Sequence, residues 1–259
     1  MKKMLSAAVV ATALLVSSVP QFASAAPETD VVTPRLDVAP NVLIGSGSSG
    51  IAAPIENKVS KFEQYLYNLD KSDPFVSEQI QKYNKLSEKE KSRLVELIYD
   101  PNVTKQAFDA MKTVALGKST SISNGEVVIQ SKVEEASNKK GAITTASEEI
   151  SFWGSFSWTM TFLGVDLTTL KTKVIYTIDE NNKVLRADNA VNSHWNIDPL
   201  IIVNDGVSSS YKSGDYAFGN GPFTVYGTAT LGFVSASVTV MVKSKPGDTS
   251  GWKESAITT

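Results

Sequence analysis

The sequence predicts an α+β protein, a small N-terminal helical bundle followed by an antiparallel all-β sandwich or barrel. Three observations carry this prediction. Apolar residues recur every three or four positions between 54 and 117, the period falls to two after Gly117, and turn-forming residues then punctuate the chain with no helical stretch between them.

Ile55, Val59, Phe62, Leu66 and Leu69 follow at spacings of four, three, four and three, which lines one face of a helix. Pro54 suits its first turn. Asp73-Pro74 restarts the chain with a cap and a helix-compatible proline, so a second helix carries Phe75, Ile80 and Tyr83. In LSEKEKSRLVELIYD, Ser87 and Glu90 stand at capping-box spacing, and Leu94, Leu97 and Ile98 form the apolar stripe of a third helix. A fourth is expected from Asp100-Pro101 through Val103, Ala107, Met111 and Ala115 to a stop at Gly117. The short connections favour antiparallel neighbours, and the alternating charges of Glu88 to Lys91 mark a solvated face.

Beyond Gly117, GEVVIQSKVEEA (125–136) reads as a strand, NKKG (138–141) as a turn and ISFWGSFSWTMTF (150–162) as a long strand. In that long strand Ile150, Phe152, Phe156, Trp158, Met160 and Phe162 face the core, and Trp153 faces away. LTTLKTKVIYTID and KVLRADNAVNSHW are joined by the polar turn Asp179 to Asn182. PLIIVND, GPFTVYGTATLGF and VSASVTVMVKS bring the expected set to seven or eight strands. No repeat of 20 to 50 residues stands out, so solenoids and propellers are not expected.

The N-terminus reads as a secretory signal peptide. MKK gives a basic start, Leu5 to Val16 an apolar run, and Ala23-Ser24-Ala25 a small-residue cleavage site before Ala26. The run of about a dozen residues falls short of the roughly 20 that span a bilayer. No cysteine follows to take a lipid, and the final SAITT carries no apolar tail, so a free chain is expected. Pro27, Pro34, Pro40 and the run GSGSSG (45–50) make residues 26–53 a flexible leader. The expected organisation is a signal peptide over 1–25, the leader over 26–53, a helical bundle over 54–117 and an all-β domain over 118–259. The expected location is secreted, extracellular or cell-wall associated, after cleavage near Ala25/Ala26.

Composition narrows the chemistry. Loss of Lys2 and Lys3 with the first 25 residues takes the basic count from 25 to 23 against 27 acidic residues, a formal charge of −4. A nucleic-acid binder would want a basic face. The complete absence of cysteine, in a chain expected to meet an oxidising exterior, fits a bacterial secreted protein stabilised by packing alone. It also removes cysteine nucleophiles, cysteine zinc sites, haem attachment and iron-sulfur clusters, and the sequence calls for no cofactor.

His194 is the single histidine, and no G-x-S-x-G elbow accompanies it. Ala190, Asn192 and His194 are expected on the wet face of their strand, opposite Val191, Ser193 and Trp195. Asp179, Glu180, Asn181 and Asn182, or Asn204 and Asp205, are oxygen ligands in loops, but neither run has EF-hand spacing and both read as turns. Glu148, Glu149, Asp166, Asp179 and Asp188 supply the carboxylates that glycoside hydrolysis would need.

All four tryptophans follow residue 150. Trp153, with Trp195, Tyr211, Tyr216 and Tyr226, forms the candidate binding set, an aromatic platform for sugar rings or another protein. The expected function is a non-enzymatic binding or interaction role carried by the β domain, with a cell-envelope polymer, glycan or another exported protein as partner. A second reading is a membrane-active, pore-forming toxin or antimicrobial, because ISFWGSFSWTMTF and TVYGTATLGFVSASVTV are long enough to cross a bilayer as barrel strands. A third is a carboxylate-dependent extracellular hydrolase.

Overall fold

Four helices followed by ten strands make up the computed structural model, which describes residues 55–138, 149–227 and 235–258. The helices are α1 (Ile55–Asn68), α2 (Pro74–Asn84), α3 (Glu88–Ile98) and α4 (Pro101–Met111). Their starts are chemically specified. Asp73 and Asp100 each accept a backbone N–H from two residues on, with a proline in the first turn, and Ser87 and Glu90 form a reciprocal capping box. Leu94, Val95, Leu97 and Ile98 of α3 are buried against Phe62 and Leu66 of α1 and Tyr83 of α2.

The fourth helix ends at Met111 rather than at Gly117. The carbonyls of Ala115 and Lys118 are taken up by Ser131, which is fully buried on a strand, so the chain leaves the helix to satisfy that donor pair. A short strand unseen in the sequence follows, β1 (Ser119–Ile122), and a single turn leads from it into β2 (Val127–Asn138).

The first sheet runs β1-β2-β3-β4-β5, with β3 at Ile150–Phe162, β4 at Val165–Ile178 and β5 at Val184–Asn196, all antiparallel. The second contains β6 (Ile201–Asp205), β7 (Ser209–Ser213), β8 (Tyr216–Gly227), β9 (Ser235–Lys245) and β10 (Asp248–Thr258). Its order is β10-β9-β8, and β6 and β7 pair successive halves of the same edge of β8. The expected α+β architecture is therefore present, as a sandwich of two five-stranded sheets. β1, β7 and β10 exceed the expected strand count, and β8 begins at Tyr216 instead of Gly221. The expected turn at NKKG and the segment TATLGF fall largely outside the described residues.

Strand alternation builds the core. Phe156, Trp158, Met160 and Phe162 of β3 are buried, as their even spacing predicts, and face Val238, Val240 and Val242 of β9 and Phe223 and Val225 of β8. The sheets approach so closely that a Cβ on Gly251 of β10 would run into the Phe156 ring. Buried side chains of the helices and of both sheets form one continuous hydrophobic cluster.

Helices attach to the sandwich by polar contacts as well. α2 lies on the outer face of the first sheet, where Lys82 reaches the Asp166 carboxylate at 2.9 Å and Gln79 accepts the Asp166 N–H. The end of α4 meets the last strand, where Lys253 donates to the carbonyl of Phe108.

His194 faces inward, contrary to the expectation from the strand pattern. Ala190, Asn192 and His194 pair with Val174, Thr172 and Leu170 of β4, and these face the second sheet. Together they sew one edge of the sandwich. The carbonyl of Ala190 accepts from Ser208, Asn192 donates to the carbonyls of Gly206 and Pro222, and His194 Nδ1 lies 2.9 Å from Asp205. Alternation alone cannot say which face of a strand is wet when both faces are half polar.

Candidate functional site

The outer face of the second sheet is built by two-residue alternation in β8. Ala217, Gly219, Gly221, Phe223 and Val225 point inward and are buried, so Tyr216, Phe218, Asn220 and Tyr226 point outward. Register then fixes what stands beside them. One row reads Trp252, Met241, Asn220 and Ser209 across β10, β9, β8 and β7, and the next reads Ser250, Lys243, Phe218 and Tyr211.

Two tight hairpins hold these strands in place. Gly214-Asp215 joins β7 to β8, and Pro246-Gly247 joins β9 to β10. Gly247 has φ +75°, the left-handed conformation that the second centre of a Pro-Gly turn requires. Each hairpin carries an aromatic residue of the face out to an edge strand.

The rings contact one another across these two rows. Tyr211 and Phe218 are parallel at 4.9 Å between centroids, and Phe218 meets Trp252 edge-on at 6.4 Å. Tyr211 is 44% and Trp252 37% exposed, although both are large and apolar. Lys243 Nζ lies 3.7 Å from the ring centre of Tyr216, a cation–π contact, and among the described residues no carboxylate is within salt-bridge distance of it. The Tyr216 hydroxyl donates to Asp248 at 2.6 Å, and its bond to Lys245 holds that ammonium above the ordinary lysine range.

Of the sequence-predicted set, this face gathers Tyr211 and Tyr216. Tyr226 is also outward on β8 and 41% exposed, but it stands ten residues from Tyr216, about 33 Å along the strand. Trp153 and Trp195 lie on the opposite side of the sandwich, on the outer face of the first sheet. Lys173 covers the Trp153 ring at 4.8 Å, and Trp195 packs against Phe75 of α2 at 5.8 Å. The five residues therefore do not form one platform.

Phe218 and Trp252 complete the cluster in their stead. Their signals were present in the sequence, as the alternation YAFGNGPF and as the Pro-Gly turn ahead of Trp252, but neither stretch reads as a strand until its neighbours are known.

The remaining candidates are engaged locally. Asp179 accepts the N–H groups of Asn181 and Lys183 and so closes its turn. Glu149 pairs with Arg186, Asp188 with Arg186 and Thr177, and Asp166 with Lys82 and Thr161. Glu148 lies outside the described residues. On the outer face of the first sheet Lys132 and Lys171 hold the Glu134 carboxyl down at about 2. Among the described residues no three His, Asp or Glu side chains group as metal ligands, and no helix is long and apolar enough to cross a membrane.

A helix-bearing antiparallel β-sandwich with an exposed aromatic row on one sheet is the class that fold and site define. No protein-family model, curated protein or solved structure matches the chain.

Proposed function

We propose that the chain is an exported bacterial protein that acts by binding, without catalysing a reaction, through the outer face of the second sheet of its sandwich. The observation that carries this reading is the contact row Tyr211, Phe218 and Trp252, large rings left partly in water on a rigid sheet. Folding alone gains nothing from leaving such rings exposed, and contiguous exposed apolar surface is characteristic of interaction sites. Export is supported by the basic, apolar and small-residue pattern of the first 25 residues, and a partner outside the cell follows from it.

Retention of the purified chain on washed bacterial envelopes tests the reading. Binding that is lost in a Tyr211→Ala, Trp252→Ala double variant with an unchanged melting temperature supports it. Equal retention of the variant overturns it, as does release of dye from liposomes at the same concentrations, which places the chain with membrane-active proteins instead. N-terminal sequencing of protein from the culture medium tests cleavage before Ala26.

A further inference from the structure

The row of rings is not the whole of the exposed face, and what lies between the rings indicates its ligand. From β10 to β7 the row crosses three strand spacings, about 14 Å, so it is wide enough for more than a single ring. Between the strands of Trp252 and Tyr211 stand Met241 and Lys243 on β9 and Asn220 beside Phe218 on β8, while Ser250 and Ser209 flank the rings on the two edge strands. An interface meant for the apolar core of another protein would be continuous there, whereas hydroxyls and an amide interleaved with aromatic rings suit a partner that is itself apolar on its faces and hydroxylated at its edges. Sugar rings have that character.

The charge that stands beside the stacked rings is a lysine. Asp248 is occupied by the Tyr216 hydroxyl at 2.6 Å and stands 3.8 Å from Lys245, and Asp215 lies beyond the row in the β7–β8 turn. Lys243 has a ring beneath it and, among the described residues, no carboxylate within salt-bridge distance, next to the stacked pair in the register.

We propose that the ligand of this face is an acidic polysaccharide, whose sugar rings lie against Trp252 and the Tyr211–Phe218 pair and whose carboxylates meet Lys243. This rests on the binding reading above and narrows it to one polymer class. A ring stacked on an aromatic side chain excludes water from the neighbouring lysine, which strengthens its pairing with an anion.

Calorimetric titration with four polymers and three variants tests the assignment. The polymers are polygalacturonate, its carboxyl-reduced neutral form, polyglutamate as an anion without sugar rings, and bacterial envelopes. The expected result is binding of polygalacturonate, with about tenfold weaker binding of the neutral form and of polyglutamate, the factor that 1.4 kcal/mol represents. Lys243→Met is expected to weaken polygalacturonate binding about tenfold while sparing the neutral form, whereas Trp252→Ala weakens both. Lys61→Met, on the exposed surface of α1, is expected to change neither.

Equal affinity for the acidic and neutral polymers, or an indifferent Lys243→Met, overturns the assignment while leaving the binding reading intact. Loss on Lys61→Met equal to that on Lys243→Met, or polyglutamate binding as tightly as polygalacturonate, reduces the effect to ion exchange and also overturns it. Retention on envelopes through Trp252 without binding to polygalacturonate separates the two in the same way, since the reading then stands and the acidic polysaccharide does not.

Discussion

Lys253, on the last strand, places its Nζ 3.3 Å from the carbonyl oxygen of Phe108 and 3.2 Å from the sulfur of Met111, and so ties the end of α4 to the sandwich across 145 residues of chain. Burial, joined by repulsion from Lys112 and opposed by the pull of Asp109, pushes this amine down to about 7. In the unfolded chain the same group titrates at 10.5. Between those limits the unfolded state holds a proton that the folded state does not, so this contribution to stability is fully present above 10.5 and is lost as pH falls to about 7. The expected slope from one group is about 1.4 kcal/mol per pH unit. Urea unfolding at a series of pH values from 7 to 10 checks it, and a slope unchanged in Lys253→Met would refute the assignment.

Asp198 titrates in the opposite sense. It is fully buried with one oxygen accepting the Leu200 N–H, and burial raises its carboxyl from 3.8 to about 7 against that hydrogen bond. Here the folded state holds the proton that the unfolded state has lost. Stability from this group is present below 3.8 and is lost as pH rises to about 7. Asp198→Asn keeps an acceptor for Leu200 and removes the charge, so at pH 8 the variant is expected to be more stable by at least about 1.4 kcal/mol, the equivalent of one pKa unit. A variant no more stable than the parent at pH 8 counts against this account.

The capping box of α3 is expected to matter to the whole chain, because Leu94, Val95, Leu97 and Ile98 of that helix are all in the common core. Ser87→Ala leaves the N–H of Glu90 without its acceptor. A loss of about 1 kcal/mol is expected, whereas Ser87→Asp, which retains a side-chain oxygen, should cost less. Thermal unfolding of the two variants distinguishes capping from a general effect of substitution.

Two glycines of the second sheet should respond differently to alanine. At Gly251 the added Cβ meets the Phe156 ring, which has no room to yield inside the sandwich, and a loss of about 1–3 kcal/mol is expected. At Gly247 the added carbon meets nothing, so only the backbone cost of φ +75° remains, about 1 kcal/mol. A double variant Gly251→Ala, Phe156→Leu that recovers part of the loss would identify the clash as the cause, and no recovery would exclude it.

The periodicities that the sequence displays are local, and local features were legible in it. Asp73-Pro74, Ser87 to Glu90 and Asp100-Pro101 each specify a helix start through atoms within four residues, and all three helices begin there. Phe156, Trp158, Met160 and Phe162 of β3 are buried as alternation requires, while Ile150 and Phe152 at its start are half-buried. The end of α4 was not legible, because Ser131, whose donors draw the backbone out of the helix, is 16 residues from the carbonyl it bonds.

Strand alternation, helix caps and the absence of cysteine belong to the sequence, since each depends on neighbouring residues or on composition alone. Which aromatic residues meet was decided by register. Trp252 and Phe218 are 34 residues apart in the chain and share a face only because β9 lies between their strands, while Trp153 and Tyr211, alike in sequence context, end on opposite sides of the sandwich. The physical reason is the period of two in a strand: it fixes which residues share a face, but the face that turns to water is chosen by the second sheet, through contacts that no short stretch contains.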